Sequence, residues 1–431
     1  MSFRGKLWIL ALSGLIAVYA VVGGMPLIGH VLTTSAQQPV NDATAQLRIV
    51  ESVLQHIQND YVDEPNMDKV RLGALRGMAG GLDPYSSYLT PDQVKAYEAS
   101  KTSNKVGIGA EYAQYSGYLL VSAIKGGPAD KAGVKSGDVI EYIDGKATRD
   151  ISLFDSKQML QGEPGSVVSL RVLRSGEKAQ TIKVTRGSYT VPKVESRIES
   201  GKIGVIKVFS FEEGEANDIR SAVASLSKQG VQKIVLDLRD VAAGTLAEGV
   251  AVANIFIKEG EIAKVVGKDS KILNSYTADP AKASFDGGLA VLTGTGTAGA
   301  AEIVAAAVLE RKRGEVIGER TFGSGTEQKF FPLSSGGGYL LTVAKWASPS
   351  ATPFLGDDRA TSGVKPSIEV KRPDTPDPLD VDSLNQQDGT TPLASPSPTP
   401  KPVAPKAVED IQLKKALEIL GDKVAAAKAG E

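Results

Sequence analysis

The amino-acid sequence predicts an α/β protein with a helical platform, a small β-domain, a mostly parallel α/β core and a C-terminal helix. The core is predicted because apolar strands such as "KIGVIKVFSF", "VQKIVLDLRD" and "GGLAVLTG" alternate with amphipathic helical segments. This alternation is typical of a parallel sheet covered on both faces. Short β-runs broken by glycine turns occupy residues 105–186, and a 3.6-residue apolar period in "TAQLRIVESVLQHIQNDYV" predicts helices earlier in the chain.

Composition limits the classes of protein that the chain can represent. Its 431 residues, 42% of them hydrophobic, exceed one compact core and predict two or three folded units. Lys and Arg total 49 against 50 Asp and Glu, so the chain has no electrostatic footprint for nucleic acid. Cysteine is absent, which excludes disulfides, thiolate nucleophiles and cysteine-based zinc sites.

The N-terminus predicts export. Arg4 and Lys6 precede "LWILALSGLIAVYAVVGGMPLIG", an apolar stretch long enough to span a bilayer, which takes about 20 residues. Residues 1–40 are therefore predicted to be an uncleaved signal anchor that leaves the body of the protein in the periplasm or outside the cell. The alternative is a secretory signal cleaved at a small residue such as Ala36.

Residues 41–104 are predicted to form the helical platform. A helical piece, "MDKVRLGALRGMAGGL", stops at glycines before a turn at Asp83-Pro84. A further helix is expected to be N-capped by Thr90, with Pro91 at its first position. The platform is not expected to carry chemistry of its own.

Residues 105–186 contain a glycine-rich loop with the pattern of an anion-binding site. In "VGIGAEY", Val106, Gly107, Ile108 and Gly109 alternate apolar residues with glycine, which lets backbone N–H groups converge on a peptide carboxylate. A strand beginning at Ile108 would offer a free edge to an added strand. Together with "PADKAGVKSGDVIEYIDG", the segment resembles a PDZ domain, and the resemblance implies a module that binds peptide C-termini. The alternative is a PDZ-like domain that only packs against its neighbours.

Two strand ends in the core, residues 187–370, are candidate sites because ligands bind at the carboxyl ends of parallel strands. They are "DLRDVAAG" and "TGTGTAGAA". With "LDPYSSYL", the PDZ-like unit, "AEIVAAA" and "VIGERTFG", they resemble the carboxyl-terminal processing peptidases, also called tail-specific proteases. The resemblance covers roughly residues 45–370. Members of that family are serine endopeptidases with a serine–lysine dyad.

The resemblance places the family's catalytic positions on residues of a different kind. The serine position is Gly299, the lysine position is Ser324, and only the glutamine, Gln328, is kept. The oxyanion-like turn corresponds to Gly244 and Ala300, and one of the family's paired glycines is replaced by Ala243.

Glycine has no nucleophile, and a serine hydroxyl cannot replace an amine as the base. The sequence therefore predicts a pseudoenzyme. Relocated catalysis is the alternative, with Thr297 and Ser324 as the fallback candidates and Thr295 also on the turn. The two histidines, His30 and His56, are badly placed for a triad. No metal site and no cofactor are expected.

The end of the chain is predicted to be a tether and a helix. Residues 371–406 include the proline-rich run "TPLASPSPTPKPVAPK" and are expected to be extended or without regular structure. Residues 407–431 are predicted to form an amphipathic helix that docks on the core or on a partner.

These features predict an envelope adaptor or regulator that binds the C-terminal tails of peptides or proteins and is anchored in the membrane. Its expected further partner is either a second copy of the same chain, in a homo-oligomer, or an active relative of the family. The alternatives are an active endopeptidase with relocated groups and a structural envelope protein.

Overall fold

The computed structural model describes residues 43–100, 106–115, 117–372 and 409–428. The chain divides after Gly73 into two compact units. The first unit contains α1 (Ala43–Asp60) and the start of α2 (Met67–Gly80). On α1, His56 is exposed and its Nδ1 lies 2.7 Å from Asp60 Oδ2, so its contact is a surface pair.

The expected leader, residues 1–40, and nearly all of the proline-rich tether lie outside the described residues. Within the described part of the chain, no helix is both long enough and apolar enough to cross a membrane.

The second unit begins with the rest of the platform. After α2 come β1 (Ser87–Leu89) and α3 (Pro91–Ser100). The predicted cap of α3 is confirmed: the Gln93 N–H donates to Thr90 Oγ1 (3.3 Å), and the Thr90 N–H donates to Gln93 Oε1 (2.7 Å). This reciprocal pair satisfies two backbone donors that a helix start leaves open.

The small β-domain follows. Its elements are β2 (Ala110–Tyr115), β3 (Tyr118–Ala123), α4 (Pro128–Ala132), β4 (Val139–Ile143), β5 (Lys146–Ala147), α5 (Leu153–Leu160), β6 (Val167–Leu173) and β7 (Gln180–Thr185). The strands form one antiparallel sheet in the order β2-β3-β4-β6-β7, with β5 on β4. The predicted strand start at Ile108 is wrong, because Gly109 has a φ of +68° and the strand begins at Ala110, two residues after the predicted start.

The core sheet confirms the predicted α/β class. Its strands are β8 (Glu195–Glu199), β9 (Ile203–Lys207), β10 (Lys233–Asp237), β13 (Gly288–Thr293), β14 (Glu315–Gly318) and β17 (Ile368–Glu369), in the order β17-β14-β13-β10-β9-β8. All neighbouring pairs are parallel except β8 with β9.

Successive residues of the core strands point to opposite faces, and each face has its own cover. Ile234 and Leu236 pack with α6 (Glu215–Lys228), α7 (Leu246–Phe256) and α8 (Ala300–Glu310). Val235 packs on the opposite face with Ala416 and Leu420 of α9 (Ile411–Lys428). The C-terminal helix therefore docks on its own core.

A second sheet, which the sequence did not predict, lies beside the core. It consists of β1, β11 (Glu261–Val266), β12 (Ile272–Thr277), β15 (Thr326–Pro332) and β16 (Gly338–Ala347). The strands run β1-β16-β11-β12, with β15 on β16, and all pairs are antiparallel. Because β1 belongs to the platform, this sheet joins the platform to the core.

Candidate active site and peptide-binding loop

The turn between β13 and α8 has the shape that hydrolases use to present a nucleophile. It ends at Gly299, whose φ of 55° and ψ of −108° lie in a region that side chains rarely adopt. In α/β-hydrolases a serine sits on such a strained strand-to-helix turn. In this chain the position carries no side chain.

Gly299 and Ser324 face each other. A Cβ built on Gly299 would lie 3.3 Å from Ser324 Oγ and 3.6 Å from Cζ3 of Trp346. Ser324 is 9% exposed, so its side chain is almost completely buried. The structure thus brings together the two positions that the family resemblance assigns to the serine and the lysine.

Glu302 holds these two positions in place. Its Oε2 accepts the N–H groups of Gly299 and Ser324, each at 2.8 Å. Its Oε1 accepts the N–H of Gly323 at 2.8 Å and the hydroxyl of Thr321. Burial raises the pKa of Glu302 to about 7, and the four hydrogen bonds act in the opposite direction. Glu302 is the third residue of α8, a position from which a carboxylate can reach back to the N–H at the start of the helix.

Structural contacts engage the fallback candidate Thr297, its neighbour Thr295 and the retained Gln328. Thr297 is fully buried. Its Oγ1 donates to the carbonyl of Leu238 (2.8 Å) and accepts a hydrogen bond from the N–H of Gly294 (3.0 Å). Thr295 Oγ1 lies 3.5 Å from the carbonyl of Ser136. Gln328 is exposed on β15, where its Nε2 donates to Thr326 Oγ1 at 2.6 Å.

The two candidate strand ends meet, because β10 and β13 are neighbouring parallel strands. The Ala298 N–H donates to the carbonyl of Val241 (2.9 Å), which ties the loop ending at Gly244 to the turn before Ala300. Gly244 has a φ of 151°, and a Cβ there would lie 2.5 Å from Cβ of Phe211. This close approach explains why the remaining glycine of the pair is needed at 244.

The glycine-rich loop at 106–109 directs its carbonyls into the protein. Val106 exchanges two hydrogen bonds with Gly162, and the carbonyls of Gly107, Ile108 and Gly109 accept backbone N–H groups at 3.3, 2.7 and 3.0 Å. Among the described residues, no acceptor is found for the N–H groups of these last three residues. Successive backbone N–H groups that converge on one point form an anion-binding concavity, which is the arrangement predicted for this loop.

The β-domain packs directly over the Gly299 turn. The Ser122 hydroxyl lies 3.4 Å from the carbonyl of Gly296, and a Cβ on Gly296 would lie 2.9 Å from Ser136 Oγ. Ala298 and Phe322 belong to the same apolar cluster as the interior of the β-domain. Sequence reasoning missed this contact, because neither serine lies near the turn in the chain.

The fold and the site define the class of the protein: an α/β serine-peptidase fold that carries a PDZ domain. Residues 202–370 match peptidase family S41, and residues 120–174 match the PDZ domain family. The chain belongs to the carboxyl-terminal processing peptidases, as the resemblance predicted.

Named relatives support this membership. The chain is 32% identical over 341 residues to the carboxy-terminal processing protease CtpA of Bacillus subtilis (strain 168), which covers 78% of this chain and 72% of the relative. It is 33% identical over 333 residues to a probable CtpA-like serine protease of Staphylococcus aureus (strain MRSA252), covering 76% of this chain and 66% of the relative. The chain therefore spans just under two thirds of the staphylococcal protein.

A solved structure has the same fold. The photosystem II D1 C-terminal processing protease superposes with a TM-score of 0.60 at 29% identity, covering 77% of this chain and 94% of the other.

Proposed function

We propose that this chain is a catalytically inactive carboxyl-terminal processing peptidase homologue that binds peptide C-termini through its PDZ domain. In this proposal it is an envelope adaptor or regulator, held at the membrane by residues 1–40. A second copy or an active relative is its proposed further partner.

One observation carries the proposal of inactivity. The two dyad positions face each other at contact distance, yet Gly299 supplies no nucleophile and Ser324 supplies no amine. Acyl transfer by a serine needs a base that takes the hydroxyl proton. The neighbouring Thr297 hydroxyl is directed at the Leu238 carbonyl, which argues against it as a substitute nucleophile.

The loop at 106–109 supports tail binding. Among the described residues, the N–H groups of 107–109 have no acceptor, which suits a carboxylate, and β2 lies at the edge of its sheet, next to β3. A ligand strand that adds to a sheet edge gains main-chain hydrogen bonds while its terminal carboxylate sits in the loop. Such tails belong to peptides or to unfolded protein termini.

The test is a combined peptidase and binding assay on the full chain in detergent, with peptides that have apolar C-termini. We expect binding without cleavage. Gly107→Trp should remove binding, because a large side chain would fill the loop. Gly107→Ala is the matched control and should bind normally, because its Cβ has no neighbour closer than 4.0 Å.

Cleavage by the wild-type chain that disappears on Thr297→Ala or Ser324→Ala would instead show an active enzyme with relocated groups. If the wild-type chain neither binds nor cleaves the peptides, the result would favour a structural envelope protein.

Restoring the dyad tests the assignment of the two positions. We expect Gly299→Ser combined with Ser324→Lys to create measurable peptidase activity, because the two side chains would start from backbone positions that already face each other. Each single substitution should stay inactive, since the serine and its base act as a unit. Activity of Gly299→Ser alone would contradict the need for a lysine at 324.

A further inference from the structure

A cleft lies between the platform and the PDZ domain, away from the Gly299 turn. Its volume is about 310 Å³, and it is lined by the end of α2, by residues 83–88, by Gln114 and by residues 149–153. We propose that this cleft binds the residues of a protein tail that lie upstream of its last four. The proposal rests on the proposed function, because the tail must first be held by the PDZ domain.

The free edge of β2 is shorter than the strand itself. The Gln114 N–H donates to the carbonyl of Pro84 at 3.4 Å, so the platform already occupies this end of the edge. Because alternate residues of a strand present their N–H groups to the same side, Ala110 and Tyr112 share the open edge with Gln114. An added tail can therefore pair beside Ala110 and Tyr112 but not beyond.

The blocked end limits how much of a tail lies in the strand. With its carboxylate at residues 107–109, a tail would run antiparallel to β2 towards Gln114. Two rungs of pairing and the carboxylate position use about four residues, at roughly 3.3 Å each. At that point the carbonyl of Pro84 already occupies the Gln114 N–H, so the bound tail must leave the edge of β2.

The cleft begins where the tail must leave. Gln114 closes the end of β2 and also lines the cleft, and Ser152 and Leu153 at the start of α5 line it from the other side. The cleft is therefore bounded by β2, which carries the proposed tail-binding edge, and by α5, which contacts β2. It continues that edge past the Pro84 block.

The lining of the cleft offers a hydrogen-bond donor. Arg76 reaches Asp155 only through Nη2 at 3.4 Å, and its buried Nε has no hydrogen-bond partner among the described residues. Asp155 is also contacted by Gln93 and by the Ser152 hydroxyl, which fixes it at the start of α5. The ligand chemistry that fits is an extended polypeptide with an acceptor, such as a backbone carbonyl, at its fifth or sixth residue from the carboxyl end.

One wall of the cleft is open enough to be filled without disturbing the fold. Gly77 is exposed on α2 and lines the cleft, and a Cβ built on it meets nothing within 4 Å. Gly77→Trp would place an indole in the cleft, whereas Gly77→Ala changes the same helical position and leaves the space open.

The experiment is calorimetric titration of the full chain in detergent with two peptides that end in the same four apolar residues. One peptide has four residues, and the other has eight. We expect the longer peptide to bind about fivefold more tightly, the effect of one added hydrogen bond. Gly77→Trp should remove this gain and leave the four-residue peptide unchanged, while Gly77→Ala should behave like the wild type.

Equal affinity for both peptides, or equal weakening of both by Gly77→Trp, would overturn the inference and leave tail binding intact. An eight-residue peptide with an amidated C-terminus, together with Gly107→Trp, tests the proposed function separately. The proposed function fails if binding is weakened neither by amidation of the peptide C-terminus nor by Gly107→Trp. It also fails if the four-residue and eight-residue peptides with free carboxylates both show no binding.

Discussion

At the scale of single residues, the turn at Gly299 keeps its shape because Glu302 fastens it to the segment that carries Ser324. One carboxylate accepts from Gly299, Thr321, Gly323 and Ser324, which come from two separate parts of the chain. A buried carboxylate with four donors stabilises the local geometry without needing a side chain at 299. The backbone around positions 299 and 324 is therefore held in place by Glu302.

Glu302 should make stability depend on pH. Its pKa in the folded state is about 7, above the ordinary value of 4.5, so the folded protein holds a proton that the unfolded chain releases. The free energy of unfolding should therefore fall as the pH rises from about 4.5 to about 7, by at most about 3 kcal/mol. Denaturant titrations across this range measure the fall, and Glu302→Gln should flatten it. An unchanged profile in that variant would assign the dependence to another group.

Gly244 should tolerate no side chain. A Cβ there would lie 2.5 Å from Cβ of Phe211 in a left-handed backbone region, so Gly244→Ala should lower the free energy of unfolding by about 2–3 kcal/mol. Gly294→Ala is the matched control, because its Cβ would meet atoms no closer than 3.6 Å. Equal melting temperatures of the two variants would contradict the close approach to Phe211.

At the scale of elements, α9 is attached to the core by both apolar and ionic contacts. Ala416 and Leu420 are buried against the core sheet, and Gln412 Nε2 donates to the carbonyl of Val370 at 2.6 Å. Arg239 joins Asp237 at the end of β10 to Asp410 next to the helix, with the Arg239–Asp410 contact at 2.8 Å. The helix thus braces the strand end from which the Gly244 loop departs.

Undocking α9 should loosen that strand end. Ala416→Asp would bury an unpaired charge at a cost of about 3–5 kcal/mol, so the helix should leave the sheet. Hydrogen exchange of residues 233–244 should then accelerate. Lys415→Asp places the same side chain one residue away on the solvent side and should leave exchange unchanged. Equal exchange rates in the two variants would mean that α9 does not brace the strand end.

At the scale of the whole molecule, the described part of residues 74–372 brings the end of the platform, the PDZ domain and the core together. The PDZ domain packs over the Gly299 turn through Ser122 and Ser136, and the platform reaches the far end of β2 through Pro84. The core supplies the turn itself. The proposed tail-binding edge, the cleft and the Gly299 turn therefore lie on one folded unit.

The proposed membrane anchor predicts how the whole protein fractionates. Because residues 1–40 contain an uninterrupted apolar run, the full chain should stay in the membrane pellet through an alkaline carbonate wash. A chain that starts at Ala45 should remain in the supernatant. Mass spectrometry of the purified full chain distinguishes the alternatives, since a mature N-terminus near Ala36 would contradict an uncleaved anchor.

The sequence by itself determined the α/β class, the order of platform, PDZ domain and core, and the family. Those features depend on local patterns: apolar strands alternating with helices, glycine turns, and short motifs such as "VIGERTFG". It also fixed which residue types occupy positions 299 and 324, because a motif is read directly from the chain.

Only the tertiary structure decided which distant groups meet. The second sheet pairs β1 with β16 across some 250 residues, the Glu302 frame joins two loops, and Pro84 occupies the end of β2. The short range of hydrogen bonds and van der Waals contacts is the reason, because they form only after the chain has folded back on itself. A sequence pattern records which residues share a face of one element, and it holds no record of what packs against that face.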